Sequence, residues 1–147
     1  MVKFFFLVLD PYLVLANYPD NLGLKNQSLS PCPTTPNCVT SQGKNLYDHI
    51  QPITFKVSLE KAKERMYEVI NSMHGTRIIT NEDSYWHIEF TTHLFRFIDD
   101  LEFYFDGSQS LIHVRSASRR GFWDLGVNRR RVETIRFRFE KLTVKNY

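Results

Sequence analysis

Apolar residues recur at helical spacing in two stretches of the chain, and each stretch predicts a helix. The first begins after Ser58, a residue type suited to cap a helix start, carries Glu60 in its first turn and closes at Gly75. The second covers residues 128–142. The predicted buried faces are Leu59, Ala62, Met66, Val69, Ile70 and Met73 in the first helix, and Val132, Ile135, Phe139 and Leu142 in the second.

Between the helices, apolar and polar residues alternate, which is the pattern of half-buried strands. Asp106-Gly107 is a typical hairpin turn, and a further short strand is predicted around Ile53 and Phe55. Short links between successive strands favour an antiparallel meander. The predicted fold class is therefore α+β, a two-layer sandwich in which two helices pack on one face of a twisted antiparallel sheet of about five strands. The longer strands are predicted over residues 76–81, 85–92, 99–106 and 111–118.

The first 49 residues lack a sustained period, so the α+β domain is predicted to span residues 50–147 behind an irregular N-terminal segment. In residues 1–16, a charged start and apolar side chains indicate an export signal, whereas Asp10 and Pro11 argue against one. This stretch is too short to span a membrane, which takes about 20 apolar residues. Export, membrane association through residues 1–16, and an N-terminal strand or turn packed on the domain are the alternatives.

Cys32 and Cys38 lie among three prolines, which stiffen the backbone into turns. A disulfide between them is favoured and would fit an oxidising compartment, while two free thiols are the alternative. A zinc site would need further ligands nearby, and the spacing is not that of a Cys-x-x-Cys redox motif. No metal site and no cofactor are predicted.

Composition and net charge change this picture little, but the distribution of charge is informative. The chain is 42% hydrophobic and 14% aromatic, as expected of a packed globular protein, with a formal net charge of +3. Residues 1–112 carry 9 Lys and Arg against 13 Asp and Glu, whereas residues 113–138 carry 8 Arg against Asp124 and Glu133. Arginine suits bidentate contacts to carboxylate or phosphate. Either the basic segment binds an anionic partner, or it pairs with the acidic part of the chain inside the fold.

One face of the predicted sheet gathers ionisable side chains, away from the face that carries the aromatic residues. Two interpretations follow. In the first, this face is a polar cleft in which a carboxylate held by an arginine binds a ligand or moves a proton. In the second, Glu102 and Arg115 form a cross-strand ion pair without further function. The residues expected on this face are His87, Glu89, Asp100, Glu102, Tyr104, His113 and Arg115.

The arginine-rich stretch over residues 115–131 places hydroxyl residues and glycines before the second helix, a composition that proteins use to bind anions. Asp124 or Asn128 could instead cap that helix. No nucleotide-binding glycine pattern is present, and no serine lies in the Gly-x-Ser-x-Gly elbow of serine hydrolases. The small net charge argues against a nucleic acid partner, and so does Phe139, which belongs to the buried face of the helix.

Four motifs, in this order, resemble the domain-of-unknown-function family 1499. They are CPTTPNCVTS at residues 32–41, FIDDLEF at 97–103, RSASR at 115–119 and DLGVNR, which begins at Asp124 and continues to Glu133. The resemblance implies a small domain of bacteria or plastids, often preceded by an export or membrane segment, and it implies no activity, substrate or cofactor. The compartment stays open between the cell envelope, a plastid and the cytoplasm. The matching residues are Cys32, Cys38, Asp99, Asp100, Glu102, Arg115, Ser116, Ser118, Arg119, Gly121, Asp124, Gly126, Asn128, Arg131 and Glu133.

The leading functional hypothesis is a binding module that uses Arg115, Arg119 and Arg131 to hold an anionic partner. A small metabolite, a lipid head group or an acidic protein surface would each suit these arginines. One alternative is an enzyme in which Asp100 or Glu102 acts as base and Arg115 stabilises charge. Another is a structural or assembly protein with internal ion pairs. The candidate binding residues are Asp99, Asp100, Glu102, Arg115, Ser116, Ser118, Arg119, Asp124, Asn128, Arg131 and Glu133.

Overall fold

The computed structural model describes residues 18–144, with side chains to residue 142. The expectations for residues 1–16 lie outside the described residues. Within residues 18–144, six strands and two helices follow one another: β1 (Cys38–Thr40), β2 (Ile53–Thr54), α1 (Leu59–Asn71), β3 (Thr76–Asn81), β4 (Tyr85–Thr91), β5 (Ile98–Asp106), β6 (Leu111–Ser118) and α2 (Val127–Val144).

The sheet is antiparallel throughout and has the order β1-β6-β5-β4-β3, with β2 also paired to β6. Strands β3 to β6 form the predicted meander, so the α+β class is confirmed. The sheet has six strands where about five are expected, because the short β1 in the N-terminal segment adds to the predicted ones. Val39 of β1 pairs with Ser116 of β6. A strand of three residues is too short to show a period, and its position is set by contacts distant in sequence.

Helix α1 begins where its sequence predicts and ends earlier. Ser58 is the N-cap, and its hydroxyl oxygen accepts the N–H of Lys61 at 3.2 Å. The helix ends at Asn71 with Ser72 as C-cap, so the prediction that Gly75 closes it is wrong. Gly75 instead adopts φ +75° in the turn before β3, where a Cβ would lie 2.5 Å from the carbonyl oxygen of Thr91. The close approach of two backbones, and not a helix cap, requires glycine here.

Both helices pack on the apolar face of the sheet, as predicted. Met66 and Ile70 of α1 and Phe139 of α2 are buried there against Ile88 and Phe103 of the sheet. The faces predicted from helical spacing are therefore the faces that the core uses. Neither helix covers the opposite face of the sheet, which packs against a different part of the chain.

The N-terminal segment covers that second face. Leu29 is buried, and together with Leu24 it packs against Tyr85 of β4 and Tyr104 of β5. The backbone N–H of Leu29 is held by the side-chain oxygen of Gln42 at 2.8 Å. This cover decides the surroundings of every ionisable side chain that the meander places on this face.

Candidate functional site

The ionisable side chains of the second sheet face are buried rather than exposed in a cleft. His87, Glu89, Asp100, Glu102 and Arg115 each have at most 4% of their surface exposed to solvent. Charged groups are stable in such surroundings only when they are paired and hydrogen-bonded. The contacts that these side chains make therefore determine what the face can do.

Glu102 has all of its contacts within the protein. Cross-strand register places it opposite Arg115, whose Nη1 donates to Oε2 at 2.9 Å. The other carboxylate oxygen accepts the hydroxyl of Tyr85 at 2.8 Å and the backbone N–H of Gly23 at 2.9 Å. Burial raises the pKa of Tyr85, and the adjacent carboxylate raises it further, so this hydroxyl stays protonated and donates. Glu102 thereby joins β4, β5, β6 and the N-terminal segment.

Asp100 and Glu89 form a second cluster with two arginines and a histidine. Asp100 accepts hydrogen bonds from His87 Nε2 at 2.7 Å and from two nitrogens of Arg119 at 2.7 and 2.8 Å. Arg119 also bonds to Glu89, which pairs in addition with the largely exposed Arg77. Two carboxylates thus face two guanidinium groups, and their charges balance.

The electrostatics of this cluster keep both carboxylates ionised. Burial alone would raise the pKa of Asp100, but hydrogen bonds from His87 and Arg119 outweigh it and hold the pKa below its ordinary value. Glu89 behaves in the same way: burial is offset by Arg77 and Arg119, and its pKa is also lowered. Hydrogen bonds to these two carboxylates in turn raise the pKa of Arg119. A carboxylate held in this way is a weak proton acceptor.

His87 connects this cluster to an open cavity. Its Nδ1 lies 3.0 Å from the hydroxyl oxygen of Tyr18, whose ring stands 5.2 Å from the guanidinium carbon of Arg119. Tyr18 and Glu82 are among the side chains that line this cavity of about 460 Å³. Burial raises the pKa of Tyr18, and the charge of Asp100 raises it further. The Tyr18 hydroxyl therefore stays protonated beside His87 at the edge of this cavity.

Asp99 lies on the opposite face of the sheet, towards α2. It forms an ion pair with Arg131, which is also hydrogen-bonded to Asn128 Oδ1 at 2.7 Å and to Ser116 Oγ at 3.2 Å. The guanidinium carbon lies 4.6 Å from the centre of the Phe90 ring. The two consecutive aspartates of β5 thus pair with arginines on opposite faces.

The start of α2 is capped by its own segment. Asp124 accepts the backbone N–H groups of Asn128 at 3.0 Å and of Gly126 at 2.8 Å. The side-chain amide of Asn128 donates to Asp124, to Ser118 Oγ and to the carbonyl oxygen of Asn37. Of the two interpretations of this segment, the contacts support capping, because side chains of the protein occupy the donors that an anion would use.

Cys32 and Cys38 form a disulfide, as favoured from the sequence, with Cα atoms 5.6 Å apart. Asn37, inside the closed loop, donates its side-chain amide to the carbonyl oxygen of Gly121 at 2.7 Å and accepts the N–H of Ser118 at 2.9 Å. The disulfide loop therefore supports the connection between β6 and α2.

The candidate residues thus fall into three groups that the structure does not bring together. Asp100, Glu102, Arg115 and Arg119 lie on the covered sheet face, and Glu133 lies on the exposed side of α2, where it pairs with Arg136. The third group surrounds the start of α2: Asp99, Ser116, Ser118, Asp124, Asn128 and Arg131. Sequence reasoning missed Tyr85 and Asn37 as partners, since neither has a charge; Asn37 lies in the first family motif, but its contacts with distant residues leave no local signal.

Two loops form a surface at one end of the sheet, and sequence reasoning singled out only the second of them, as part of the arginine-rich stretch. Residues 92–97 join β4 to β5, residues 119–126 join β6 to α2, and together they are called the loop surface. They lie side by side, because the N–H of Arg119 in the second loop donates at 3.1 Å to the carbonyl oxygen of Ile98, the residue that follows the first loop. A cavity of about 310 Å³ opens between them, lined by Phe95, Arg96, Phe97, Ile98, Arg119 and Arg120. The available signal was the run of aromatic and arginine residues outside any predicted strand or helix.

A family model for proteins of unknown function, DUF1499, matches residues 28–139 and so covers most of the chain. The chain belongs to the DUF1499 family. The resemblance of the four motifs is therefore confirmed, and all candidate residues of this DUF1499 domain lie within the matched range. Comparisons with curated proteins and with solved structures found no match.

Two further findings bear on the DUF1499 domain. Within residues 18–144, no helix is both long and apolar enough to cross a membrane. Across the same residues, no three histidine, cysteine, aspartate or glutamate side chains are grouped so as to hold a metal ion.

The DUF1499 domain should lose stability in mild acid because of His113. Burial lowers the pKa of this histidine, while the nearby Asp106 opposes that effect more weakly. The unfolded chain therefore binds the proton more readily than the folded protein does. The free energy of unfolding should begin to fall as the pH drops below about 6.5, the ordinary histidine pKa. It should keep falling until the pH reaches the lowered pKa of His113 in the folded protein. Urea unfolding of His113→Gln should show a flatter pH dependence across this range.

The exposed His74 provides the matched control, since His74→Gln should leave the pH profile of the wild type unchanged. An unaltered profile in His113→Gln would contradict the assignment. Asp100 and Glu89 also contribute to the free energy of unfolding, because their pKa values are lowered in the folded protein. That contribution should be lost only below about pH 4, outside the range in which His113 titrates.

Proposed function

We propose that this DUF1499 domain is a non-catalytic binding module for an anionic partner, and that the partner is bound at the loop surface. One observation carries the proposal. Arg96 and Arg120 are exposed beside the cavity of about 310 Å³, and among the described residues neither side chain has an ion-pair or hydrogen-bond partner. Guanidinium groups free to turn into a cavity are suited to bidentate contacts with phosphate or carboxylate.

The buried arginines have a supporting role in this proposal. Arg115 and Arg131 are committed to Glu102 and Asp99, so a ligand could reach them only by breaking a buried ion pair, which costs about 3–5 kcal/mol. Arg119 lines the cavity but is likewise paired with carboxylates in the interior, so its charge is already balanced. In this proposal the contact site lies at the loop end of the sheet, and the interior ion pairs stabilise the conformation of that end.

The enzymatic alternative receives less support from these contacts. Asp100 accepts hydrogen bonds from Arg119 on both oxygens and has a lowered pKa, which makes it a weak base. Glu102 is fully buried with both oxygens engaged. The structural alternative, internal ion pairs, agrees with the observed contacts and is compatible with a binding surface elsewhere.

Soluble anions should stabilise the protein through Arg96 and Arg120. In thermal-shift titrations with inorganic phosphate, pyrophosphate and glycerol phosphate, the wild type should show a Tm that rises with anion concentration, because a ligand that binds only the folded state stabilises it. The double variant Arg96→Gln/Arg120→Gln should lose most of this rise. Lys25→Gln/Lys56→Gln removes the same charge from exposed positions elsewhere and should retain it.

Absence of any concentration-dependent Tm rise in the wild type up to millimolar anion would overturn the proposal. An equal rise in Tm in Arg96→Gln/Arg120→Gln and in the wild type would contradict the proposed location of the site, since the anion would then bind elsewhere.

A further inference from the structure

We infer that the anionic partner is the surface of a lipid bilayer containing acidic phospholipid. The inference rests on the proposed function and adds the apolar side chains of the loop surface to its arginines. Six large apolar residues of these two loops are between 47% and 78% exposed, which is a high density for a soluble domain. They are Leu94, Phe95 and Phe97 in the first loop, and Phe122, Trp123 and Leu125 in the second.

Hydrogen bonds hold the first of these loops in its conformation. The N–H of Thr92 donates to the carbonyl oxygen of Phe97 at 2.8 Å, and the N–H of Phe97 donates to the hydroxyl oxygen of Thr92 at 2.9 Å. The rings of Phe95 and Phe97 stack with centres 5.6 Å apart, while both remain exposed. The apolar side chains are therefore presented outward by an ordered hairpin.

The second loop is held by the disulfide loop behind it. Asn37 is bonded to Gly121, and the N–H of Asp124 lies 3.4 Å from the carbonyl oxygen of Pro36. Phe122 and Trp123 lie between these two attachments and make no hydrogen bond among the described residues. A loop fixed on both sides of two exposed aromatic residues loses little conformational entropy when these residues are buried in a partner.

Charge at the two ends of the sheet would orient the domain on an anionic surface. The loop surface carries Arg96 and Arg120 without partners, and its single acid, Asp124, is turned inward to cap α2. The opposite end carries Glu82 and Asp83 in the turn before β4 and Asp106 at the end of β5, three acids against the exposed Lys56 that follows Phe55 beside the turn after β5. A domain that is basic at one end and acidic at the other presents its basic end to a negatively charged layer.

The mixed lining of the cavity favours a lipid over a soluble anion or an acidic protein. Phe95 and Phe97 line the same small space as Arg119 and Arg120. A phospholipid at a bilayer surface matches both parts at once, since its phosphate suits the guanidinium groups and its glycerol and acyl region suits the aromatic rings. Aromatic side chains with flanking arginines are the usual composition of protein surfaces that lie at the lipid–water boundary.

Binding to vesicles tests the inference on the full chain. Sedimentation with vesicles of phosphatidylcholine and phosphatidylglycerol should capture the protein, and vesicles of phosphatidylcholine alone should capture much less. Loss of one arginine, Arg96→Gln or Arg120→Gln, should lower the partition coefficient about fivefold, following a contribution of about 1 kcal/mol per basic residue at an anionic membrane. Phe122→Ser/Trp123→Ser should lower it about tenfold or more.

Tryptophan fluorescence gives a second readout specific to the surface. Trp86 is 3% exposed and Trp123 is 65% exposed, and these are the two tryptophans of the chain. Anionic vesicles should therefore shift the emission of Trp123 to shorter wavelength and protect it from a soluble quencher. Phe137→Ser is the matched control, because Phe137 is an exposed aromatic residue of α2 away from the loop surface, and it should leave vesicle binding unchanged.

The outcomes separate this inference from the proposed function. If soluble anions bind through Arg96 and Arg120 but anionic vesicles do not capture the protein, the bilayer is not the partner. The proposal of an anion-binding module would then still stand. Vesicle capture that is undiminished in Phe122→Ser/Trp123→Ser would also overturn it, and so would capture of the wild type without a shift in Trp123 emission, since another segment would then hold the membrane. Failure of both assays would overturn the inference and the proposed function together.

Discussion

Replacing Glu102 with leucine should lower the free energy of unfolding by about 3–5 kcal/mol, the range found when one partner of a buried ion pair is removed. The change leaves the Arg115 guanidinium, the Tyr85 hydroxyl and the N–H of Gly23 without their acceptor in a fully buried site. Urea unfolding followed by circular dichroism at neutral pH measures the loss.

A double variant distinguishes a stranded charge from lost packing. Glu102→Leu/Arg115→Met removes both charges and should recover much of the stability, because the penalty of the single variant arises mainly from the unpaired guanidinium. The exposed pair of Lys61 and Glu64 is the control, and Glu64→Leu should cost about 0.5 kcal/mol. Equal losses in Glu102→Leu and Glu64→Leu would contradict the buried network described for β5 and β6.

Asn128→Ala should destabilise the protein by about 3 kcal/mol or more, although no charge is removed. This side chain is fully buried and accepts hydrogen bonds from Ser116 and Arg131. It also donates to the carbonyl oxygen of Asn37 and to Ser118. Several buried polar groups lose a partner at once, and each such group costs about 1–3 kcal/mol.

The exposed Asn81 allows a comparison that keeps the chemistry constant. Asn81→Ala should change stability by about 0.5 kcal/mol or less, as is usual for surface positions. Hydrogen exchange should also show faster exchange of the first-turn amides of α2 in Asn128→Ala alone. A loss no larger than that of Asn81→Ala would mean that the contacts of Asn128 are not what holds α2 to the sheet.

The elements that the sequence predicts well are those with a long, regular period. Trp86, Ile88 and Phe90 alternate with polar residues over a full strand, and the apolar face of α1 repeats over three turns, so packing agrees with local pattern. Strand β1 has no such period, because three residues cannot show one. The predicted end of α1 at Gly75 is wrong because glycine is required for two different reasons that look alike in sequence. It can end a helix with a positive φ, or, as at Gly75, allow two backbones to approach closely.

The sequence predicts which side chains share the polar face of the sheet, but not whether protein or water covers that face. Alternation places Asp100 and Glu102 with Arg115 on one face, and the ladder of β5 and β6 confirms that placement. Whether water or protein covers a sheet face depends on the N-terminal segment, in which Leu24 and Leu29 carry no periodic signal. The motif FIDDLEF also led us to list Asp99 and Asp100 together as candidate binding residues, although adjacent residues of a strand point to opposite faces of the sheet.

The arrangement of Asp99 and Asp100 has a consequence for how the strands find their alignment. A slip of β5 by one residue would turn Leu101 and Phe103 to the polar face, so the apolar pattern already opposes it. A slip by two residues keeps every side chain on its own face, and there one hydrophobic contact resembles another. That slip would carry Asp99 away from Arg131 and Asp100 away from Arg119, leaving buried charges without their partners. The paired charges on both faces therefore oppose the slip to which the Phe-rich core is least sensitive.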